Sequence, residues 1–181
     1  MKRFSIIFLT IILLVVTMDL KGQNTSASVR LDIVLKPILN LTVNPEQQVT
    51  TLVYNTTEDY RDGVEVTNKE HLTVFSTGPY VVNVRLADEE YSKLSGETED
   101  SMYLPDVRMS AVPVAEGGQM RLATQTLTTI ERELIADDQP ALNKVFDVSL
   151  HGPGADAFAD YVADQTSASF RNTILYSLEI R

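Results

Sequence analysis

Apolar and polar residues alternate through the middle of the chain, between Asn68 and Leu86. From Tyr80 to Leu86 every second residue is apolar, and a similar alternation precedes it at residues 71–74. A period of two places one side of an extended strand in a core and the other side in water. The two halves are separated by Ser76–Pro79, where Gly permits unusual backbone angles and Pro fixes φ. The pattern predicts a β-hairpin at the centre of an all-β domain.

The same period recurs near both ends of the sequence. It predicts strands over Val29–Leu35, Val145–His151 and Thr173–Arg181. The apolar positions of the first and last of these strands are Val29, Leu31, Ile33 and Leu35, and Ile174, Tyr176, Leu178 and Ile180. With the remaining short apolar runs the chain holds about nine or ten strands with frequent turns, the pattern of a sandwich or a barrel.

The segments between these strands are more ambiguous. Val49–Tyr54 is interpreted as a further strand, and Asn55–Gly63 as a loop. Met120–Ile135 fits both helical and strand spacing, and its Thr, Leu and Ile content favours strand. Ala155–Asp164 is predicted to form a short helix, because its apolar and acidic residues segregate at helical spacing. The acidic segment Ala87–Ser101 is interpreted as a surface loop with a helical turn at its residues 89–94.

The N-terminus has the features of a secretory signal peptide. Lys2 and Arg3 precede the apolar run Phe4–Val16, which is shorter than the roughly 20 residues of a membrane span. Cleavage after Gly22 would leave residues 23–181 as a single β-sandwich domain. An uncleaved N-terminal anchor is the alternative. The remaining sequence contains no second run of membrane-spanning length, so we expect no membrane span in the mature chain.

The absence of cysteine and the negative net charge restrict the classes of function to be considered. The chain has no cysteine, so an exported form would fold without disulfides. Its formal net charge is −10, and an acidic surface repels nucleic acid, so we expect no nucleic-acid partner.

Candidate chemistry is sparse. The two histidines, His71 and His151, are interpreted as exposed residues, and no Gly-x-Ser-x-Gly motif is present. Zinc and copper sites need clustered His or Cys, so no metal ligands and no cofactor are assigned. Whether the acidic loops bind calcium is left open, because their spacing differs from an EF-hand. The sequence therefore predicts a protein that is not an enzyme and has no catalytic residues.

The two terminal alternating segments carry the most specific expectation. Each can close a sheet of its own chain, or it can add to a sheet edge of a neighbouring molecule, where main-chain pairing gives affinity and alternate side chains fill pockets. The sequence leaves the choice between pairing in cis and in trans open.

Three stretches resemble a known group of proteins: LTVFSTGPYVVNVRL at 72–86, the strand Val145–Leu150, and NTILYSLEIR at 172–181. They look like bacterial exported β-sandwich proteins of the spore coat protein U and chaperone–usher pilin type. The resemblance implies an immunoglobulin-like antiparallel β-sandwich, a Gram-negative source, and a secreted, periplasmic or cell-surface location. It also implies self-assembly, an export chaperone as partner, and the apolar positions of Val29–Leu35 as the donor strand.

The leading hypothesis is therefore a non-enzymatic surface or fimbria-like structural subunit that assembles by β-strand addition. The alternative is a monomeric extracellular module that binds a glycan or protein surface ligand through end loops such as Asn55–Gly63 or Ala87–Ser101. A carboxylate-dependent hydrolase is a third hypothesis, although no spacing singles out a carboxylate pair.

Overall fold

A computed structural model describes residues 26–94, 101–115, 119–162 and 167–181. The predicted signal peptide, residues 1–22, lies outside them. The chain divides into two units, Met1–Leu35 and Lys36–Arg181. In the first unit the described residues form neither helix nor strand. All regular structure of the described chain belongs to the second unit.

That unit contains twelve described strands, one α-helix and two 3-10 turns. The strands are β1 (Leu39–Val43), β2 (Val64–Ser76), β3 (Tyr80–Leu86), β4 (Tyr91–Lys93), β5 (Ser101–Met102), β6 (Arg108–Pro113), β7 (Arg121–Leu122), β8 (Gln125–Thr126), β9 (Arg132–Asp137), β10 (Ala141–Gly152), β11 (Phe170–Arg171) and β12 (Ile174–Ile180). The helix α1 spans Thr57–Asp62, and the 3-10 turns span Pro45–Gln47 and Ala159–Val162.

The strands form three antiparallel sheets. The first sheet has the order β1-β2-β10-β6-β8, and the second has the order β12-β3-β9-β7. A small third sheet has the order β11-β4-β5. Every described strand pair is antiparallel. The all-β, antiparallel class predicted from the alternation is confirmed.

One apolar core lies between the first and second sheets. The first sheet contributes Leu72, Val74, Met109, Ala111, Phe146, Val148 and Leu150, and the second contributes Tyr80, Val82, Val84, Leu86, Leu134 and Ile135. Along β3 buried and half-buried residues alternate without exception, as a period of two requires. The two inner faces therefore pack as a β-sandwich.

The predicted central hairpin is wrong. β2 pairs with β1 and β10, whereas β3 pairs with β12 and β9, so Ser76–Pro79 carries the chain from one sheet to the other. Ser76 is buried, and its hydroxyl donates to the Gly78 carbonyl across this connection. The alternation is the same for both topologies, because a hairpin and a sheet crossing both direct apolar side chains into the core.

Several local predictions also differ from the structure. Val49–Tyr54 forms no strand, although the Asn68 side-chain amide donates to the Thr50 hydroxyl. Residues 89–94 form no helical turn, since β4 lies there. The stretch 120–135 contains β7, β8 and the start of β9, which confirms the strand interpretation. In the predicted helix Ala155–Asp164 the described part contains only the 3-10 turn Ala159–Val162.

The single described α-helix lies in the segment interpreted as a loop. Thr56 is its N-cap: the Thr56 hydroxyl accepts from the Asp59 N–H, and the Asp59 carboxylate accepts from the Thr56 N–H. This capping box, Thr56-x-x-Asp59, is the sequence signal that marks the start of the helix. In the described residues no helix is long and apolar enough to cross a membrane.

Truncation of the core at Phe146 should test the sandwich. Phe146 is fully buried, and Phe→Ala changes in cores typically cost about 3–5 kcal/mol of unfolding free energy. Phe146→Ala should therefore lower the midpoint of urea unfolding strongly. Leu142→Ala is the matched control on the same strand, because Leu142 is 76% exposed and its loss should change stability by less than about 0.5 kcal/mol. Equal effects of the two changes would contradict the described packing.

Candidate functional site

The two sheets are open on the same side of the sandwich. β1 pairs with β2 alone and β12 pairs with β3 alone among the described strands, so each is an edge strand. The two edges are also in contact with each other. An edge strand presents unpaired N–H and C=O groups that can pair with another chain. This side of the sandwich can therefore accept a further strand.

The side chains of these two edges form a partly covered apolar surface, which we call the seam. It consists of Leu39, Leu41 and Val43 from β1 and Ile174, Tyr176 and Leu178 from β12, all half-buried against the core. On the central strand β3 the corresponding inward residues are fully buried. The core is thus less well covered at the seam than at its centre, and an added apolar strand would bury these side chains further.

The seam residues include three of the four predicted positions of the C-terminal strand. β12 forms as predicted, and Ile174, Tyr176 and Leu178 face the core. The fourth, Ile180, is 57% exposed. The alternation was sufficient to identify this strand, because a half-buried edge keeps the period of two.

His71 lies beside the seam and was wrongly interpreted as exposed. Its side chain is buried, its Nδ1 lies 3.0 Å from the Gln47 side-chain oxygen, and its ring meets that of Tyr176 edge-on at 6.0 Å between centroids. Burial lowers the pKa of His71, and burial also raises the pKa of Tyr176 above its ordinary value. The Tyr176 hydroxyl donates to the Met109 sulfur at 3.6 Å.

The predicted donor residues lie in the segment that precedes β1. Val29 and Leu35 are 94% and 88% exposed, and Leu31 and Ile33 are 80% and 73% exposed. The strand predicted over Val29–Leu35 is not formed within the chain. Exposure of large apolar side chains to water is unfavourable. Burial of each of them would contribute about 1.5–3 kcal/mol of favourable free energy. Their role as a donor strand remains a prediction.

Of the two loops named for the alternative hypothesis, Asn55–Gly63 contributes Tyr60 to a cluster of aromatic rings. Its members, in order of contact, are Tyr60, Tyr54, Phe158, Tyr161 and Phe170, with ring centroids 5.0–6.2 Å apart. The rings are half-buried against one another. The Tyr54 hydroxyl donates to the Pro153 carbonyl, and burial, with Asp59 and Tyr60 nearby, raises the pKa of Tyr54 to about 12.

A shallow depression of about 330 Å³ adjoins this cluster, lined by Thr57, Tyr60, Asp156 and Ala159. Stacking of a sugar ring needs an open aromatic face, whereas these rings pack against one another. This end of the sandwich is consequently a weaker candidate site than the seam.

Acidic residues that could suggest a cation site have structural partners. Asp59 accepts from the backbone N–H groups of Asn55 and Thr56, which lowers its pKa. Asp137 is buried and binds the Lys144 ammonium at 2.9 Å. No group of three or more His, Asp or Glu side chains suited to a metal occurs in the described part of the chain.

The second histidine, His151, has side-chain partners on two neighbouring strands. The His151 Nε2 lies 3.1 Å from the Ser110 hydroxyl, and its Nδ1 lies 3.5 Å from a Glu65 carboxylate oxygen. These residues are 41 and 86 positions away from His151, on different strands, so only the sheet register brings them together. No sequence signal could have found the group.

Comparison of the chain with models of protein families and with curated proteins found no match to either.

The acid stability of the protein should depend on His71. Because burial lowers its pKa in the folded state, the unfolded chain takes up the proton first as pH falls through about 6.5. The free energy of unfolding should therefore decrease below that pH, by up to about 1.4 kcal/mol for each unit by which the pKa is lowered.

Urea unfolding of the protein and of His71→Gln at pH values from about 8 to 5 measures this effect. The two curves of unfolding free energy against pH should run parallel above about pH 7 and converge below about pH 6.5. Curves that remain parallel down to pH 5 would contradict the burial of a neutral His71.

Proposed function

We propose that this protein is an exported structural subunit of a bacterial surface or fimbria-like assembly, built by β-strand addition. In this proposal the segment Val29–Leu35 of one copy pairs with the open edge at the seam of the next. The observation that carries the proposal is the combination of an apolar, unpaired, alternating segment with a partly covered apolar edge in the same chain. The resemblance of the sequence to pilin-type sandwiches supports it.

The side-chain pattern of the segment suits a pleated partner. Val29, Leu31, Ile33 and Leu35 share one side of an extended strand, and Arg30 and Asp32 share the other, where they form an exposed ion pair at 2.9 Å. Pairing would direct the apolar side toward the seam and leave the ion pair in water. The apolar and charged sides of the segment therefore match the two environments that an added edge strand meets.

The free energies involved indicate that assembly needs both the burial of apolar side chains and main-chain hydrogen bonds. Burial of four large apolar side chains contributes about 6–12 kcal/mol at roughly 1.5–3 kcal/mol each. Association of two molecules costs on the order of 4–15 kcal/mol in lost freedom and ordering. The apolar contacts alone would give weak binding, so main-chain hydrogen bonds to the edge strand at the seam supply the remaining affinity.

The linker favours pairing between molecules over pairing within one. The Ile38 N–H donates to the Thr77 hydroxyl and the Ile38 carbonyl accepts from the Thr77 N–H, which fixes Ile38 beside β2. Only Lys36 and Pro37 separate it from Leu35. Two-residue hairpins require positive φ values and favour Asn-Gly, whereas Pro has φ near −65°. A tight reversal of the segment onto its own sandwich at this point is thus disfavoured.

Because neighbouring residues of a strand face opposite sides, the role of Val29–Leu35 can be tested by placing the same charge at two adjacent positions. Ile33→Asp places a charge on the side that faces the seam, whereas Val34→Asp places the same charge on the other side one residue away. Ile33→Asp should weaken assembly by at least about 30-fold in concentration, since burial of an unpaired charge costs more than 2 kcal/mol. Val34→Asp should assemble within a few-fold of the unchanged protein. Light scattering across a concentration series, with circular dichroism to confirm folding, measures both.

Removal of residues 23–35 should abolish assembly and leave export and the folded sandwich intact. Equal losses for Ile33→Asp and Val34→Asp would contradict strand addition. An unchanged protein that stays monomeric at all concentrations would instead favour the binding-module alternative, and the search would move to the α1 end of the sandwich.

The acceptor side has its own test. A synthetic peptide of residues 26–37 should bind the truncated protein saturably and raise its melting temperature, because a ligand that binds only the folded state stabilises it. The same peptide with the Ile33→Asp change is the matched control and should bind at least about 30-fold more weakly. Failure of the unmodified peptide to bind would place the acceptor surface elsewhere.

A further inference from the structure

The outer face of the first sheet carries a row of polar side chains that the proposed function does not use. At its centre is His151 on β10, with Ser110 of β6 on one side and Glu65 of β2 on the other. The Ser110 hydroxyl lies 3.1 Å from Nε2, and the Glu65 carboxylate lies 3.5 Å from Nδ1. A hydroxyl, an imidazole and a carboxylate in this order form the arrangement that activates a serine for nucleophilic attack.

The sheet register explains why these three side chains meet. His151 is directly opposite Glu65 on β2 and opposite Arg108 on β6, and Ser149 is opposite both Thr67 and Ser110. Residues two apart on a strand share a face, so all six side chains lie on the outer side while Met109 and Leu150 face the core. Strands about 4.8 Å apart bring such neighbours within hydrogen-bond reach.

We propose that Ser110 is a reactive nucleophile, with His151 as its general base, toward small activated esters. With the Nδ1 proton directed at Glu65, the Nε2 lone pair faces the Ser110 hydroxyl. Glu65 is a positioning residue, because it acts through the imidazole. Its distance of 3.5 Å is longer than a hydrogen bond, as is common for such groups before substrate binds.

The reaction balances without any further reagent. The Ser110 Oγ forms a bond to the ester carbonyl carbon, its proton passes to His151 Nε2, and the bond to the leaving alkoxide breaks as that oxygen takes up the proton. Water then attacks the acyl-serine with His151 again as base. The acid is released and the Ser110 hydroxyl regains a proton.

The surroundings restrict the substrate class. β6 pairs with β10 from Arg108 to Pro113 and with β8 only at Arg108 and Met109. We assign the stabilisation of the oxyanion to a side-chain donor on the same face as Ser110. Arg108 is two residues from Ser110 on the same face, about 7 Å along the strand, and forms no ion pair with any described residue. Its guanidinium can reach an oxyanion beside Ser110. Because the face is open, selectivity should be low, and esters with a good leaving group should react best.

A fluorophosphonate probe tests the nucleophile directly, because attack of the Ser110 Oγ on phosphorus expels fluoride and leaves a stable adduct. Peptide mass spectrometry of the labelled, purified protein should locate the adduct on Ser110. Ser149→Ala is the matched control, since its hydroxyl bonds the Thr67 hydroxyl at 2.6 Å and not the imidazole. Labelling should survive Ser149→Ala and disappear in Ser110→Ala.

The roles of His151 and Glu65 are tested by the rates of labelling and of ester hydrolysis. His151→Gln should lower the labelling rate and the hydrolysis of p-nitrophenyl acetate by about 100-fold, the lower range for loss of a general base. Glu65→Gln should lower both rates and Glu65→Asp should restore part of them, at unchanged melting temperature, which a merely structural role would not produce. An adduct on Ser110 no faster than on other serines, or rates unaffected by His151→Gln, would overturn the proposal. Neither result would bear on strand addition, whose readout is mass in solution.

Discussion

The contact between the inner faces of two sheets is the interaction on which this structure depends. A chain with no cysteine has no disulfide to stabilise its fold, so burial of the core carries more of the stability, and Tyr80, Phe146 and Leu134 are fully buried there. The connection at Ser76–Pro79 follows from it. By moving the chain between sheets, it places the apolar sides of β2 and β3 opposite each other across the core.

The interior strand β2 and the edge strands β1 and β12 are held in different ways. Within β2 the bulge at Glu70, with φ of 53°, is fixed by Asp147, whose carboxylate accepts from the Lys69 ammonium and the Glu70 N–H. These hydrogen bonds hold the pKa of Asp147 below its usual range. By contrast, β1 and β12 end the two sheets with half-buried apolar side chains at the seam. Natural proteins usually protect edge strands with charges, proline or covering segments, whereas the apolar side chains of the seam are only half-buried.

The same period of two that fills the core also arranges the outer face. When Met109 and Leu150 point inward, Ser110 and His151 must point outward, and the pairing of β10 with β2 and β6 then adds Glu65 to the row. The core and the polar row are therefore two consequences of one register. A shift of the strand register by one residue would turn the core side chains outward and the polar side chains inward. Because exposure of the core is costly, the register is fixed, and the positions of Ser110, His151 and Glu65 are fixed with it.

The sequence alone determined the β class, the strand β12 and the inward residues of β3, since alternation along a strand is a local property that survives in any sheet arrangement. It could not decide between a hairpin and a sheet crossing at Ser76–Pro79, because both bury the same side chains. Nor could it show that His71 is buried or that His151 meets Ser110, because these contacts join distant strands. Strand pairing and register are set by the packing of the whole core, and only the tertiary structure revealed them.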